Sequence, residues 1–361
     1  MSSGSSPQGR RLVEQVARAC ATAQAPLALL ERVAALVRAR IPYDVAGWLL
    51  VDPDTMLLTG VYSEDVPREA HLALIECELT EDDVTKFVDL ARCEVPAAAL
   101  SAATGGDLAR STRWSRIYAP AGYGDELRAV FRSGSTCWGH GCLTRLAGEP
   151  FFTPEEVDLM ARLAPHVGHG IRTGLLLTEQ VDDTDEGPGM VVLADDGSVE
   201  SMTPQARAWL GPLEDERLSS TIVLHEVAAQ ARVLAEEGGG PPARARTRSP
   251  SGEWVVVRGA RLEPTSGGDG RTAVLVEPAS RSDIAPLLVH LRRLTSREQQ
   301  VTQLLLTGMA TRDIARQLWI TPETLRGHVK SVFAKLGVSS RPELAAQLSR
   351  EPVVHQHGGA S

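Results

Sequence analysis

Residues 321–338 read TPETLRGHVKSVFAKLGV and gather side chains suited to chemistry on a polyanion. Arg326 carries a planar fork of donors that can grip a guanine edge or a phosphate, and Lys330, about one turn later, supplies a mobile point charge. On a helical wheel Leu325, Val329, Val332 and Leu336 fall together, with His328 and Phe333 at the margins. Gly327, Lys330, Ser331 and Ala334 lie opposite, with Arg326 on their shoulder. A solvated helix face would explain the charges but not the small residues. Glycine inside a helix costs about 1 kcal/mol relative to alanine, so Gly327 asks for a reason, and close approach to a groove about 12 Å wide is one.

The charge distribution points the same way. The 361-residue chain has a formal net charge of −9, yet residues 291–350 hold ten Arg or Lys against four Asp or Glu, while 1–290 hold 27 against 41. A basic module on an acidic body is a pointer to polyanion binding. With 43% hydrophobic and 23% charged residues and no apolar run near bilayer length, the composition fits a soluble multidomain chain. No membrane segment or signal peptide is read at the N-terminus, so a cytoplasmic location is expected.

Other candidates for chemistry give way to plainer readings. In CWGHGC (137–142), strand alternation would put Cys137 with Gly139 and Gly141 on one face and His140 with Cys142 on the other, which leaves too few ligands for a metal. In ARARTR (243–248) the side chains of Arg244, Arg246 and Arg248 share a face, as expected of a solvent-facing edge strand protected by charge, with an anion site as the alternative. Cys93, Cys137 and Cys142 could serve a thiol enzyme, but none has an obvious adjacent basic partner to lower its pKa. No GxxxxGK[ST] loop occurs. No catalytic residue, metal set or cofactor is read from the sequence.

The elements that must position the basic stretch carry their own signals. Thr295 followed by Glu298 is a capping box for a helix ending near Gly308. TRDIARQLW gives a second short helix, with Ile314, Ala315 and Leu318 inward and Arg312 and Arg316 outward. The third starts with Thr321 as N-cap and Pro322 at N1, and Ile320 can staple to Leu325. A fourth begins at Ser340, with Glu343 completing another box and Leu344, Ala345 and Leu348 apolar. Upstream, helices are predicted over 11–24, 26–40, 67–91, 154–178, 203–210, 221–236 and 282–293. Strands are predicted over 44–51, 56–62, 126–132, 136–145, 190–194, 198–202, 243–248, 253–262 and 272–276. No internal sequence repeat is visible.

The run LTSREQQVTQLLLTGMATRDIARQLWITPETLRGHVKSVFAKLGVSSRPELA resembles the four-helix DNA-binding domain of the LuxR family of transcription regulators. The Thr-x-x-Glu cap, the TPxT turn, the HV pair and the KLGVSSR exit occur in order. The upstream pattern resembles a GAF domain followed by a PAS domain. The expected fold class is multidomain: two α+β sensor-like domains, GAF-like then PAS-like, before an all-α four-helix helix-turn-helix domain. The expected limits are a flexible N-terminus 1–10, GAF-like domain 11–180, linker 181–189, PAS-like domain 190–280, connecting helix 281–293, helix-turn-helix domain 294–350 and flexible tail 351–361.

The LuxR resemblance implies sequence-specific binding of double-stranded DNA as a homodimer on a (pseudo)palindromic site, with the third helix in the major groove. By motif position Arg326, Gly327 and Lys330 would face bases and Thr321, Thr324 and His328 would lie near the backbone, with Arg312 and Ser331 completing the DNA-binding set. Two residues depart from the pattern: Gly327 lacks the usual side chain, and Ala310 replaces the usual hydroxyl cap, so the second helix is expected to begin at Thr311. RNA polymerase and an unknown small-molecule or protein effector are further implied partners. The alternatives are a GAF-like thiol enzyme and a partner-binding sensor that binds DNA only weakly.

Overall fold

The computed structural model describes residues 7–22, 24–176, 187–211, 219–240, 242–263 and 270–348. Most of the expected linker and all of the expected tail lie outside the described residues. The chain divides into two compact units, Met1–Pro278 and Ala279–Ser361.

The first unit is built on two antiparallel sheets. Helices α1 (Pro7–Ala21) and α2 (Pro26–Arg38) precede a hairpin of β1 (Val45–Val51) and β2 (Leu58–Glu64). Then come α3 (Arg68–Thr80), α4 (Phe87–Leu90), β3 (Ala97–Ala99), α5 (Leu100–Thr104), the hairpin β4 (Tyr123–Ser133) and β5 (Thr136–Leu146), and α6 (Pro154–Leu176). The order is β2-β1-β5-β4-β3. Helix α6 starts where the sequence predicts, with Thr153 and Glu156 exchanging hydrogen bonds, and its glycines let it settle closely. A Cβ on Gly168 would lie 2.5 Å from Arg132 O.

The second sheet follows with β6 (Gly189–Ala194), β7 (Val199–Met202), α7 (Pro204–Leu210), α8 (Ser219–Glu236), β8 (Ala243–Arg248), β9 (Trp254–Leu262) and β10 (Arg271–Pro278). Its order, β7-β6-β10-β9-β8, repeats the topology of the first sheet although no sequence repeat is present. Strand order depends on turn placement and apolar alternation, which unrelated side chains can satisfy. Valines 191, 255, 257, 274 and 276 pack beneath Val223, Leu224 and Val227 of α8.

Three upstream expectations are corrected. No strand is predicted between the two hairpins of the first sheet, yet Ala97–Ala99 form β3, which alanine's low strand propensity concealed. Alternation in CWGHGC fails because the β4–β5 register slips opposite Cys137 and Gly139, making Trp138 an extra residue. Cys137 consequently packs with Val130, Phe87 and Leu90, in a cluster that Cys142 also borders. Most clearly, Arg246 is not solvent-facing: it is 3% exposed, and its guanidinium pairs with Asp52 and Asp54 in the β1–β2 turn. Its N–H also donates to Asp52 Oδ2 at 2.9 Å, and Thr247 Oγ1 donates to Thr59 O at 2.9 Å. The edge of the second sheet is covered by the first hairpin, so the carboxylates that meet Arg246 belong to the protein.

The C-terminal unit comprises α9 (Arg281–Leu291), α10 (Ser296–Leu306), α11 (Thr311–Gln317), α12 (Pro322–Leu336) and α13 (Arg341–Leu348). Its core joins Val301, Leu305, Ile314, Leu325, Val332 and Leu344. The expected connecting helix is part of this body, since Ala285 of α9 is buried in the same core and Leu288 and Val289 pack against it. Ser280 and Asp283 form a capping box for α9. Among the described residues, no helix is long and apolar enough to cross a membrane.

Candidate nucleic-acid interface

The sequence signals around α12 are realised locally. Thr321 Oγ1 accepts from Thr324 N at 3.1 Å, Pro322 occupies the first turn, and Gly337 ends the helix at φ +70°. Helix α11 begins at Thr311 after Ala310, which gives no side-chain cap. It stops at Gln317 rather than running through Trp319, which takes φ +54° and is 94% exposed in the turn to α12. That turn leaves α11 and α12 as a helix-turn-helix. The fourth box is displaced: Ser340 Oγ accepts from Glu343 N, but the Glu343 carboxylate reaches Ser339 instead of Ser340.

Helix α12 presents two different faces. Leu325, Val332 and Leu336 are buried, and Thr321, Thr324, Arg326, Gly327, Lys330 and Ala334 are exposed. His328 and Ser331 are half-buried. Among the described residues nothing lies within 4 Å of a Cβ built on Gly327, so none of them explains that glycine. Arg326 forms an exposed pair with Glu323. Among the described residues Lys330 and Arg312 hold no ion pair, whereas Arg316 is paired with Asp313 at 2.7 Å.

Sequence reasoning missed what orients this helix. Glu298 caps α10 and also accepts from Ser331 Oγ and Lys335 Nζ, each at 2.6 Å. Burial pushes the Glu298 carboxyl up, but Lys335, Ser331 and Thr295 outweigh it and hold it at about 2. Ser331 therefore has its proton committed inside the unit. Arg341 closes the end of α10, donating to Leu305 O at 2.7 Å and Met309 O at 2.8 Å, and Arg297 donates to Leu318 O. The basic excess of the module is accordingly not all available to an outside anion. What remains is an outward face bearing a forked cation, an open glycine and a free ammonium, flanked by two threonine hydroxyls.

The model of bacterial regulatory proteins of the luxR family matches residues 292–348. The spore germination protein GerE of Bacillus subtilis is 39% identical over 57 residues, which is 16% of this chain and 77% of that protein. The chain belongs to the LuxR family. An HTH-type transcriptional regulator of Mycobacterium bovis also matches at 39% identity over 57 residues, 16% of this chain, but the chain spans only 6% of its length. Membership thus rests on the C-terminal unit. For the upstream region, a GAF domain from an Acinetobacter phosphoenolpyruvate-protein phosphotransferase aligns at 12% identity, covering 49% of this chain and 99% of that one, with a TM-score of 0.35. A likeness at that level assigns no function to the LuxR-family chain's first unit.

The thiols of this LuxR-family chain have little nucleophilic character where they are enclosed. Burial pushes Cys137 and Cys142 up to about 11, so both are protonated at neutral pH. Cys93 is exposed. Among the described residues, no three His, Cys, Asp or Glu side chains gather as a metal set.

Proposed function

We propose that the protein is a cytoplasmic transcription regulator that reads a (pseudo)palindromic DNA site as a homodimer through α12, under control of an input sensed by the first unit. The observation that carries the reading is the contrast on α12, anchored on one side by Glu298 and open on the other around Gly327. Arg326 and Lys330 would reach bases and phosphates, with Gly327 allowing close approach. Thr321, Thr324 and His328 would lie along the backbone, and Arg312 at the start of α11 would meet a phosphate. Ser331 would act through Glu298 rather than on DNA directly. In this reading the first unit comprises a GAF-like domain over 11–180 and a PAS-like domain over 190–280. RNA polymerase is the natural recipient of a DNA-bound regulator's signal.

Support for a small-molecule input comes from a cavity of about 320 Å³ in the first unit, within the range of ligand sites. The experiment that tests the DNA reading is selection of bound sequences from random DNA with the full chain. Enrichment of two inverted half-sites is expected. If the chain enriches nothing beyond a variant carrying both Arg326→Ala and Lys330→Ala, the reading fails.

A further inference from the structure

The cavity of the first unit is not the property of one sheet. Its floor is one face of β1 and β5, its wall is α3, and it is closed by Ile222, Glu226 and Gln230 of α8, which belongs to the second sheet's core. Leu49, Leu58, Leu74 and Ile75 make most of its surface apolar. Two side chains break that pattern. His140 is 3% exposed and, among the described residues, neither ring nitrogen has a hydrogen-bond partner; Glu226 is 4% exposed and its Oε2 has none there either. Both line the cavity. Buried polar atoms are ordinarily paired, because leaving them dry forfeits their hydration without return, so three such atoms around one hollow mark where a ligand's polar groups belong.

The neighbouring charges say what kind of ligand. Arg128 also lines the cavity, but its guanidinium is held by Glu126 at 3.0 Å and Glu78 at 2.7 Å. Lys86 commits its ammonium to Glu81 O at 2.7 Å. Burial, then the charge of Arg128, pushes His140 down to about 3, so the ring is neutral and offers one donor and one acceptor. Burial, then Glu78, pushes Glu226 up to about 8, so at neutral pH it keeps its proton and donates. An ion entering this space would lose its hydration, and the unpaired atoms of His140 and Glu226, both uncharged, would return it no opposite charge. A flat ring would extend the stack already present, where His140 lies 4.2 Å from Phe87 with the planes within 4°.

We propose that this cavity binds an uncharged, largely apolar small molecule whose polar groups are met by His140 of the first sheet domain and Glu226 of the second, so that the bound ligand ties the two together. The proposal rests on the sensing part of the function above and names its ligand class. A mechanical link is present in the same place: the turn whose Asp52 and Asp54 grip Arg246 also supplies Thr55, Met56 and Leu57 to the cavity wall. A change of occupancy would therefore be felt at the ion pair that covers β8.

The test is a panel of matched triads screened against the full chain by saturation-transfer NMR: primary amide, carboxylate and methylamine on naphthalene, indole and cyclohexane cores. Amides should bind, and their charged counterparts should bind at least roughly ten-fold more weakly. Glu226→Leu, which keeps bulk but removes the donor, should lose roughly ten-fold in amide affinity, while Glu226→Gln, which restores a donor, stays within about three-fold of the parent. Binding should slow hydrogen exchange in α8 and β8 as well as in α3. The proposal is overturned if no amide binds, if charged probes bind equally well, if Glu226→Leu changes nothing while still folded, or if protection stops at α3. Selective amide binding with no effect on DNA affinity would sink the sensing reading and leave this site standing.

Discussion

Ser331 on α12 donates to Glu298 on α10 across 2.6 Å, and the same carboxylate takes Lys335 one turn further along α12. A single buried anion thus fixes the rotation of the candidate reading helix about its own axis. Glu298→Gln should destabilise the C-terminal unit by about 1–3 kcal/mol. The folded-state pKa is depressed, so the contribution is present above the ordinary carboxylate range and is lost as pH falls toward about 2. Denaturant melts at pH 7 and pH 3 check this: the difference between parent and variant should shrink at the lower pH.

Gly327 separates folding from function. Since a Cβ there meets nothing within 4 Å among the described residues, Gly327→Ala should raise stability by up to about 1 kcal/mol through helix propensity. Specific DNA binding should nonetheless weaken. Thermal melts and a binding titration on one selected site measure both, and unchanged affinity would show that close approach is not why the glycine is there.

Arg326 and Lys330 should fail differently. Arg326→Ala is expected to cost about 1–3 kcal/mol and relax preference at one base position per half-site. Lys330→Ala should weaken all sequences alike and lower the salt slope by about one. Because Arg326 is paired with Glu323 before binding, Glu323→Gln should tighten binding, which a titration at two salt concentrations would detect.

The minimal DNA-binding fragment should begin near residue 279 and not at 294. Removing α9 strips Ala285, Leu288 and Val289 from the core, and losing a few buried apolar side chains costs several kcal/mol in a body this small. A fragment over 279–361 should melt cooperatively; one over 294–361 should melt at least about 10 °C lower or not cooperatively at all.

Glu226 makes the first unit sensitive to base. Its folded-state pKa is raised to about 8, with Glu78 of α3 the like charge that adds to burial, and Arg128, Lys86, His71, His140, Cys142, Tyr118 and Tyr123 are the other ionisable groups on the cavity wall. The folded state holds a proton the unfolded chain has already lost, so stability falls as pH rises from the ordinary carboxylate range through about 8. Glu226→Gln should flatten that decline in melts taken from pH 5 to pH 9.

Local grammar was the legible part. Thr295, Thr321 and Thr153 announce helix starts because an N-cap and its partner lie three residues apart, and the luxR-type order of signals in 294–345 follows from such short-range pairs. What stayed hidden acts over distance. Arg246 and Asp52 are 194 residues apart, and nothing in ARARTR tells a solvent-facing arginine from one met by another sheet's turn. The bulge at Trp138 was equally opaque, since one added residue reverses every face assigned by counting. Glu298 was found for its cap and missed for its hold on α12, because a side chain's second partner leaves no mark on its neighbours in sequence.

Trp319, bare in the turn before α12, gives the molecule an optical reporter at the place of most interest. Of the six tryptophans, Trp48, Trp138, Trp209 and Trp254 are buried and Trp114 is half-buried. Emission on the red side, and collisional quenching by acrylamide, should come chiefly from one indole. Docking of the turn onto a duplex would shield that ring from the quencher, so the unlabelled protein would announce its own engagement while the remaining tryptophans keep a steady background.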